Sequence, residues 1–224
     1  MIAGQEMDIK QLPPQDMLNY GTLFGNLDIV KIAISKGANI NFEERLPLCA
    51  AIYGANPPTT PEDGNYVQML ASTYGLTVPS RVTYIELIRW LLQNGAKATV
   101  SSDYNSDNIP LLRAAEYRDI EIIKLLLDFK ADPNSKSQDG ITALHMLTNP
   151  APFSYPYKNA PEIAKLLISK GAKMISNESI SKPLDMAKES LHILEDKSSP
   201  WRDYPFYIDL INSIKSLIDI YSKF

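Results

Sequence analysis

Apolar positions along the chain recur at the spacing of a helix. In Glu121–Leu127, the residues Ile122, Leu125 and Leu126 stand at i, i+3 and i+4, while Glu121 and Lys124 fall on the other side. Runs of the same design lie at 28–34, 86–92 and 162–168, with a weaker one at 208–214. The first four run into near-identical turns: Lys36-Gly37-Ala38, Asn94-Gly95-Ala96, Phe129-Lys130-Ala131 and Lys170-Gly171-Ala172. Gly37, Gly95 and Gly171 follow the last helical residue, where a left-handed cap costs least without a Cβ. Lys130 fills that slot in the third copy and is expected to carry mild strain, and a β-branched residue at Gly95 is expected to clash. Ahead of each long helix the pattern predicts a shorter one, beginning at Pro47, Pro110, Gly140 and Pro183. Three of these start on proline, whose missing N–H does no harm in a first turn. A unit of this size can bury its apolar face only against its neighbours, so the repetition predicts stacked helical hairpins.

The short-helix motifs Gly140-Ile141-Thr142-Ala143-Leu144-His145, Pro110-Leu111-Leu112-Arg113-Ala114-Ala115 and Pro47-Leu48-Cys49-Ala50-Ala51 carry a resemblance. So do the turns Asp139-Gly140 and Ala131-Asp132-Pro133-Asn134. Together they resemble the ankyrin-repeat family, whose units open with Thr-Pro-Leu-His-x-Ala and close with Gly-Ala-Asp-x-Asn. The resemblance implies an all-α fold, a solenoid of about five helix-turn-helix units at roughly 16–43, 44–101, 106–137, 138–176 and 177–224. It makes the chain one continuous domain. It also gives Thr142 and His145 a structural role, the pair that hydrogen-bonds the loop. Cys49 occupies the slot of His145 and reads as buried filler, and His192 as a surface or cap residue.

Departures from the repeat are concentrated in three insertions. Leu18 to Gly37 and Leu111 to Lys130 both span 19 residues, but Leu48 to Gly95 spans 47 and Leu144 to Gly171 spans 27. The extra residues lie at roughly 55–80, 150–160 and 194–206, always between the short and the long helix. In the family's fold that placement would gather them along one edge. Nine of the sixteen prolines fall there, together with Tyr66, Tyr74, Phe153, Tyr155, Tyr157, Trp201, Tyr204 and Phe206. Proline reduces the entropy lost on ordering a loop, and tyrosine and tryptophan supply rigid contact area. These aromatics either pack back on the helices or form a partner-binding edge. Thr60-Pro61-Glu62-Asp63 reads as the start of an extra helix through Val67 and Leu70.

The resemblance implies a second candidate surface, the concave face made by hairpin tips and short helices. Its residues are Tyr20, Tyr53, Asp103, Tyr104, Asp107, Arg113, Glu116, Tyr117 and Asp139. Glu43, Glu44, Arg45, Phe24, Lys136, Gln138, Met146, Asn149, Asn177 and Glu178 border it. Tyrosines beside acidic tips would suit a basic partner segment.

Charge and chemistry narrow the function. A net charge of −4 and a pI near 5.3, without a basic stripe, argue against nucleic acid as partner. One cysteine allows no internal disulfide and fits a reducing compartment. The start lacks a signal pattern and no apolar run approaches about 18 residues, so the expectation is a cytoplasmic protein with no membrane segment. Phosphate-binding glycine motifs, Cys-x-x-Cys and His-Glu-x-x-His are absent, and two histidines with one cysteine offer little for catalysis or metal binding. The expected function is a non-enzymatic, monomeric protein-binding module without cofactor or metal. Irregular ankyrin proteins of this kind resemble bacterial immunity proteins that neutralise a toxin, or effectors that bind host proteins. The apolar C-terminal helix (Ile208, Ile211, Ile214, Leu217, Ile218 and Tyr221) reads as a cap and tells mildly against an effector's flexible export tail. An enzyme or a self-assembling scaffold built on the insertion edge is the remaining alternative.

Overall fold

The computed structural model describes residues 8–43, 46–56, 66–100, 108–149, 157–176, 180–196, 198–199, 202 and 207–224, the side chain of Tyr66 excepted. Its contacts gather into two compact units, Met1–Lys97 and Ala98–Phe224.

In the first unit, α1 (Pro14–Leu23) and α2 (Leu27–Ser35) form one hairpin, and α3 (Pro47–Ala55) pairs with α5 (Arg81–Gln93) in the next. A helix lies in the first insertion as α4 (Tyr66–Thr73), and the expected start at 60–63 lies outside the described residues. The core holds Leu18, Val30, Ile52, Leu87, Ile88 and Leu91, all fully buried. Each such side chain contributes roughly 1.5–3 kcal/mol of transfer free energy. In the second unit the short-helix positions of the hairpins are held by α6 (Pro110–Glu116), α8 (Ala143–Met146) and α10 (Pro183–Glu195), the last extended to 13 residues. The long ones are α7 (Ile120–Asp128), α9 (Ala160–Ser169) and α11 (Tyr207–Ser222). α8 packs beside both α6 and α10, so the three short helices share one side of the unit. Pro47, Pro110 and Pro183 all sit in first turns.

Among the described residues, the turns that end α1, α2, α4, α5, α6, α7 and α9 are each closed by a residue of left-handed conformation, whereas α3, α8 and α10 end without one. Gly37, Gly95 and Gly171 have φ of 92°, 95° and 92°, and Lys130 adopts 66° in the same slot. The amide one residue further on then reaches back to the helix, as in Ala131 N–H to Leu126 O at 2.9 Å and Ala172 N–H to Leu167 O at 3.0 Å. The same grammar ends α1 at Gly25 (φ 67°) and α6 at Arg118 (φ 51°). A Cβ built on Gly95 meets nothing within 4 Å. The clash expected at that position is therefore corrected: the cost of a side chain there lies in the backbone conformation itself. Lys130→Gly should raise stability by about 1 kcal/mol and Gly95→Ala lower it by about 1 kcal/mol in urea titrations. Equal midpoints for all three proteins would contradict this reading of the turns.

Successive hairpin turns are tied by one side chain at a fixed register. Asn41 donates from Nδ2 to Gly95 O at 2.9 Å and accepts at Oδ1 from Lys97 N–H at 2.8 Å. Asn134 repeats this with Gly171 O at 2.9 Å and Lys173 N–H at 2.8 Å. Thr99 holds the equivalent position, and its hydroxyl accepts only from Asp132 N–H, at 2.8 Å. Gln15 serves the first turn, accepting from Asn39 N–H at 2.9 Å. An amide side chain satisfies both a carbonyl and an N–H, whereas a hydroxyl of threonine's reach meets one of them. Asn134→Ala should cost about 1 kcal/mol. Thr99→Asn should gain a similar amount, and destabilisation of that variant in thermal melts would refute the register.

Candidate functional site

The hairpin entering α8 is built around His145. The Thr142 N–H and hydroxyl meet His145 Nδ1 at 3.1 and 2.8 Å, and Nε2 lies 3.0 Å from Ser181 O. An Nε2–H tautomer satisfies all of these contacts: Nε2 donates to the carbonyl and Nδ1 accepts from Thr142. Gly140 (φ 90°) and the bridge between Lys136 and Thr142 shape the approach. Both ring nitrogens are thus used for structure, as the sequence implied.

Beside this ring, α8 and α10 leave a groove of about 440 Å³, lined by Ile141, His145, Met146, Asn149, Met186, Glu189, Ser190 and Ile193. Its surface is mostly apolar, and Ile193 is 46% exposed. Ser190 is fixed by donating from Oγ to Thr148 O at 2.9 Å. On the adjoining α6, Arg113 lies 3.2 Å from Glu116 and donates to the Tyr117 hydroxyl at 3.2 Å. The face formed by the short helices therefore has a tied polar stretch on α6 and an open apolar stretch between α8 and α10.

Arg118 is the unexpected residue. It is a cation only 1% exposed, left-handed in backbone, and its guanidinium lies 4.3 Å from the centre of the Tyr157 ring. It donates to Glu116 O at 3.2 Å and to Asn149 O at 2.6 Å, while Asn159 donates to the Arg118 carbonyl at 3.3 Å. A buried charge is tolerated when hydrogen bonds and a π face replace its water. Asn149 precedes the second insertion and Tyr157 lies within it, so one side chain holds the residues on either side of positions 150–156.

The structure separates the expected binding residues. Tyr157 and Tyr117 are corrected: at 5% and 3% exposure they are interior groups rather than presented ones. Tyr157 turns inward because the short 3-10 turn Tyr157–Asn159 directs it onto Arg118 and its carbonyl accepts from Ser213 Oγ at 2.6 Å. Burial raises the Tyr157 pKa, partly offset by the Arg118 charge. Tyr20 and Tyr74 were assigned to different faces, yet their ring centres are 5.0 Å apart, with Phe24 5.7 Å from Tyr20 and 5.9 Å from Tyr74. They form one aromatic cluster that seats the insertion helix α4 on α1. Burial, then the Tyr20 hydroxyl and the Asp16 charge, push the Tyr74 pKa up to about 12. Tyr53, Arg113 and Glu116 are half-buried, and Asp139 is exposed at the hairpin. Cys49 is buried and His192 exposed. Phe153, Tyr155, Trp201, Tyr204, Phe206, Asp103, Tyr104, Asp107, Glu44, Arg45, Asn177, Glu178 and the Tyr66 side chain lie outside the described residues.

Met186, Glu189 and Ile193 were missed by sequence reasoning. Aligning Leu184 with Leu144 would have placed Met186 opposite Met146. Among the described residues, no three His, Cys, Asp or Glu side chains are grouped to hold a metal, and no helix is long and apolar enough to cross a membrane.

Burial lowers the His145 pKa below its ordinary 6.5, so the native state resists protonation there. Its stabilising contribution is complete above pH 6.5 and is lost as pH falls through the lower, folded value. Urea midpoints should drop between pH 7 and pH 5, and a His145→Gln protein should lose part of that slope. An identical slope in both would contradict the assignment.

Residues 76–178 match the family model of ankyrin repeats, in three copies. The chain is also similar to an ankyrin repeat protein of Fowlpox virus (strain NVSL), 35% identical over 115 residues. That match covers 40% of this chain and 15% of the viral protein.

Proposed function

We propose, from the premise that this chain is a member of the ankyrin-repeat family, that it binds a folded protein on the short-helix face of its second unit and catalyses no reaction. Ankyrin repeats generally mediate protein–protein interaction. The observation that carries the reading is the groove between α8 and α10, an open apolar surface beside a polar stretch that is already internally paired. Met146 and Met186 suit the role because unbranched thioether side chains repack around different contours. The histidine beside them is consumed by the hairpin, which removes the obvious catalytic group from the groove.

A second contact through the Pro- and aromatic-rich insertion edge (Phe153, Tyr155, Trp201 and Tyr204) is favoured by one observation. Arg118 grips Asn149 and Tyr157, the residues on either side of the 150–156 segment. A segment with both ends fixed loses less entropy on binding than one with free ends.

The test is affinity capture with the intact protein and a Met146→Glu, Met186→Glu variant, from the source organism and any host. A stoichiometric partner should be captured at least about tenfold less by the variant, with an unchanged helical spectrum. Equal capture would move the site off the groove. The partner also separates the narrower readings. A toxin would make the chain an immunity protein, and a host protein would make it an effector. The similarity to a viral protein lends nothing to the bacterial origin expected above.

A further inference from the structure

The groove holds one group that its apolar lining does not explain. Glu189 is an exposed carboxylate at its edge and has no hydrogen bond or ion pair among the described residues. Other acids nearby are engaged: Glu116 meets Arg113 at 3.2 Å, and Glu195 meets Lys215 at 2.8 Å. Asp185, one turn before Glu189 on α10, is likewise exposed but does not line the groove. Lys182, which caps that helix, and Lys188 within it do not line the groove either.

Resting on the reading that this groove is the binding surface, we infer that it takes a partner segment presenting an apolar side chain close to a lysine or arginine. At about 440 Å³ the groove has room for an inserted side chain rather than a whole domain. Ile141, Met146 and Met186 receive the apolar anchor, and the wall residue Ile193 covers its flank. The cation lies over Glu189, within about one helical turn of the anchor. An exposed ion pair adds little affinity but suppresses partners of the wrong sign. Glu189 therefore selects which segment binds, and the methionines supply the hold.

The experiment is selection of short random peptides displayed on phage against the full chain, repeated with Glu189→Gln, Glu189→Lys and Met186→Glu. The wild type should enrich an apolar residue with Lys or Arg close by. A peptide so selected should bind Glu189→Gln about two- to fivefold more weakly. Selection on Glu189→Lys should enrich Asp or Glu in place of the basic residue, and Met186→Glu should abolish binding. Peptides with no basic preference, or one that persists on Glu189→Gln, would overturn the inference while leaving the groove in place if Met186→Glu still abolished binding. Peptides indifferent to both positions would overturn the groove itself. Failure to enrich any peptide would overturn recognition of a short segment.

Discussion

The hairpins of this chain depend on a residue of left-handed conformation after most of their described helices. Without it, an apolar helix runs on into solvent. With it, the chain reverses within a few residues and lays one apolar face on the next. Glycine supplies that conformation at positions 25, 37, 75, 95 and 171, but the third unit uses Arg118 and Lys130 instead. Each side chain there costs roughly 1 kcal/mol of backbone preference. For Lys130 nothing visible offsets the cost. For Arg118 the offset is plain, because the strained turn aims a guanidinium inward, where it meets Asn149 O and the Tyr157 ring.

The strain at Arg118 and the second insertion belong together. A tight hairpin needs no side chain to gather its ends, and the expanded connection between α8 and α9 does. A buried cation is a costly clamp, but it is directional: its N–H fork fixes one end by a carbonyl while its flat face fixes the other by an aromatic ring. In the first unit the insertion helix α4 is seated differently, by Val67 and Ala71 in the core and by the rings of Tyr20, Phe24 and Tyr74. Two insertions at the same place in the repeat are thus anchored by unrelated chemistry.

The fold was legible because its signals are local. Glycine after a helix, proline in a first turn and i, i+3, i+4 spacing each act within a few residues, and the structure places them as read. The Thr142–His145 pair was readable for the same reason. The aromatics were not. Tyr157 and Tyr74 stand in proline-rich sequence that reads as exposed, and the groups that bury Tyr157 and half-bury Tyr74 come from 39 and 54 residues earlier, at Arg118 and Tyr20. No local pattern marks an arginine destined for the interior. The groove fell between these cases, since Met186 and Glu189 are in register with Met146 and Asn149 and only the unit-to-unit alignment reveals it.

The hydroxyl of Tyr221, buried in α11, donates to the carbonyl of Leu144 at 3.1 Å, across 77 residues of chain. At a synthesis rate of about 5–20 residues per second, roughly 4–15 s separate the making of these two groups. Until then α8, only Ala143–Met146 in length, has an uncovered carbonyl and no neighbour from α11. The groove wall on α8 is therefore finished by a residue made long after it. A nascent chain halted before Tyr221 would display the methionine of α8 on an incompletely built support, exposed to whatever holds unfinished proteins.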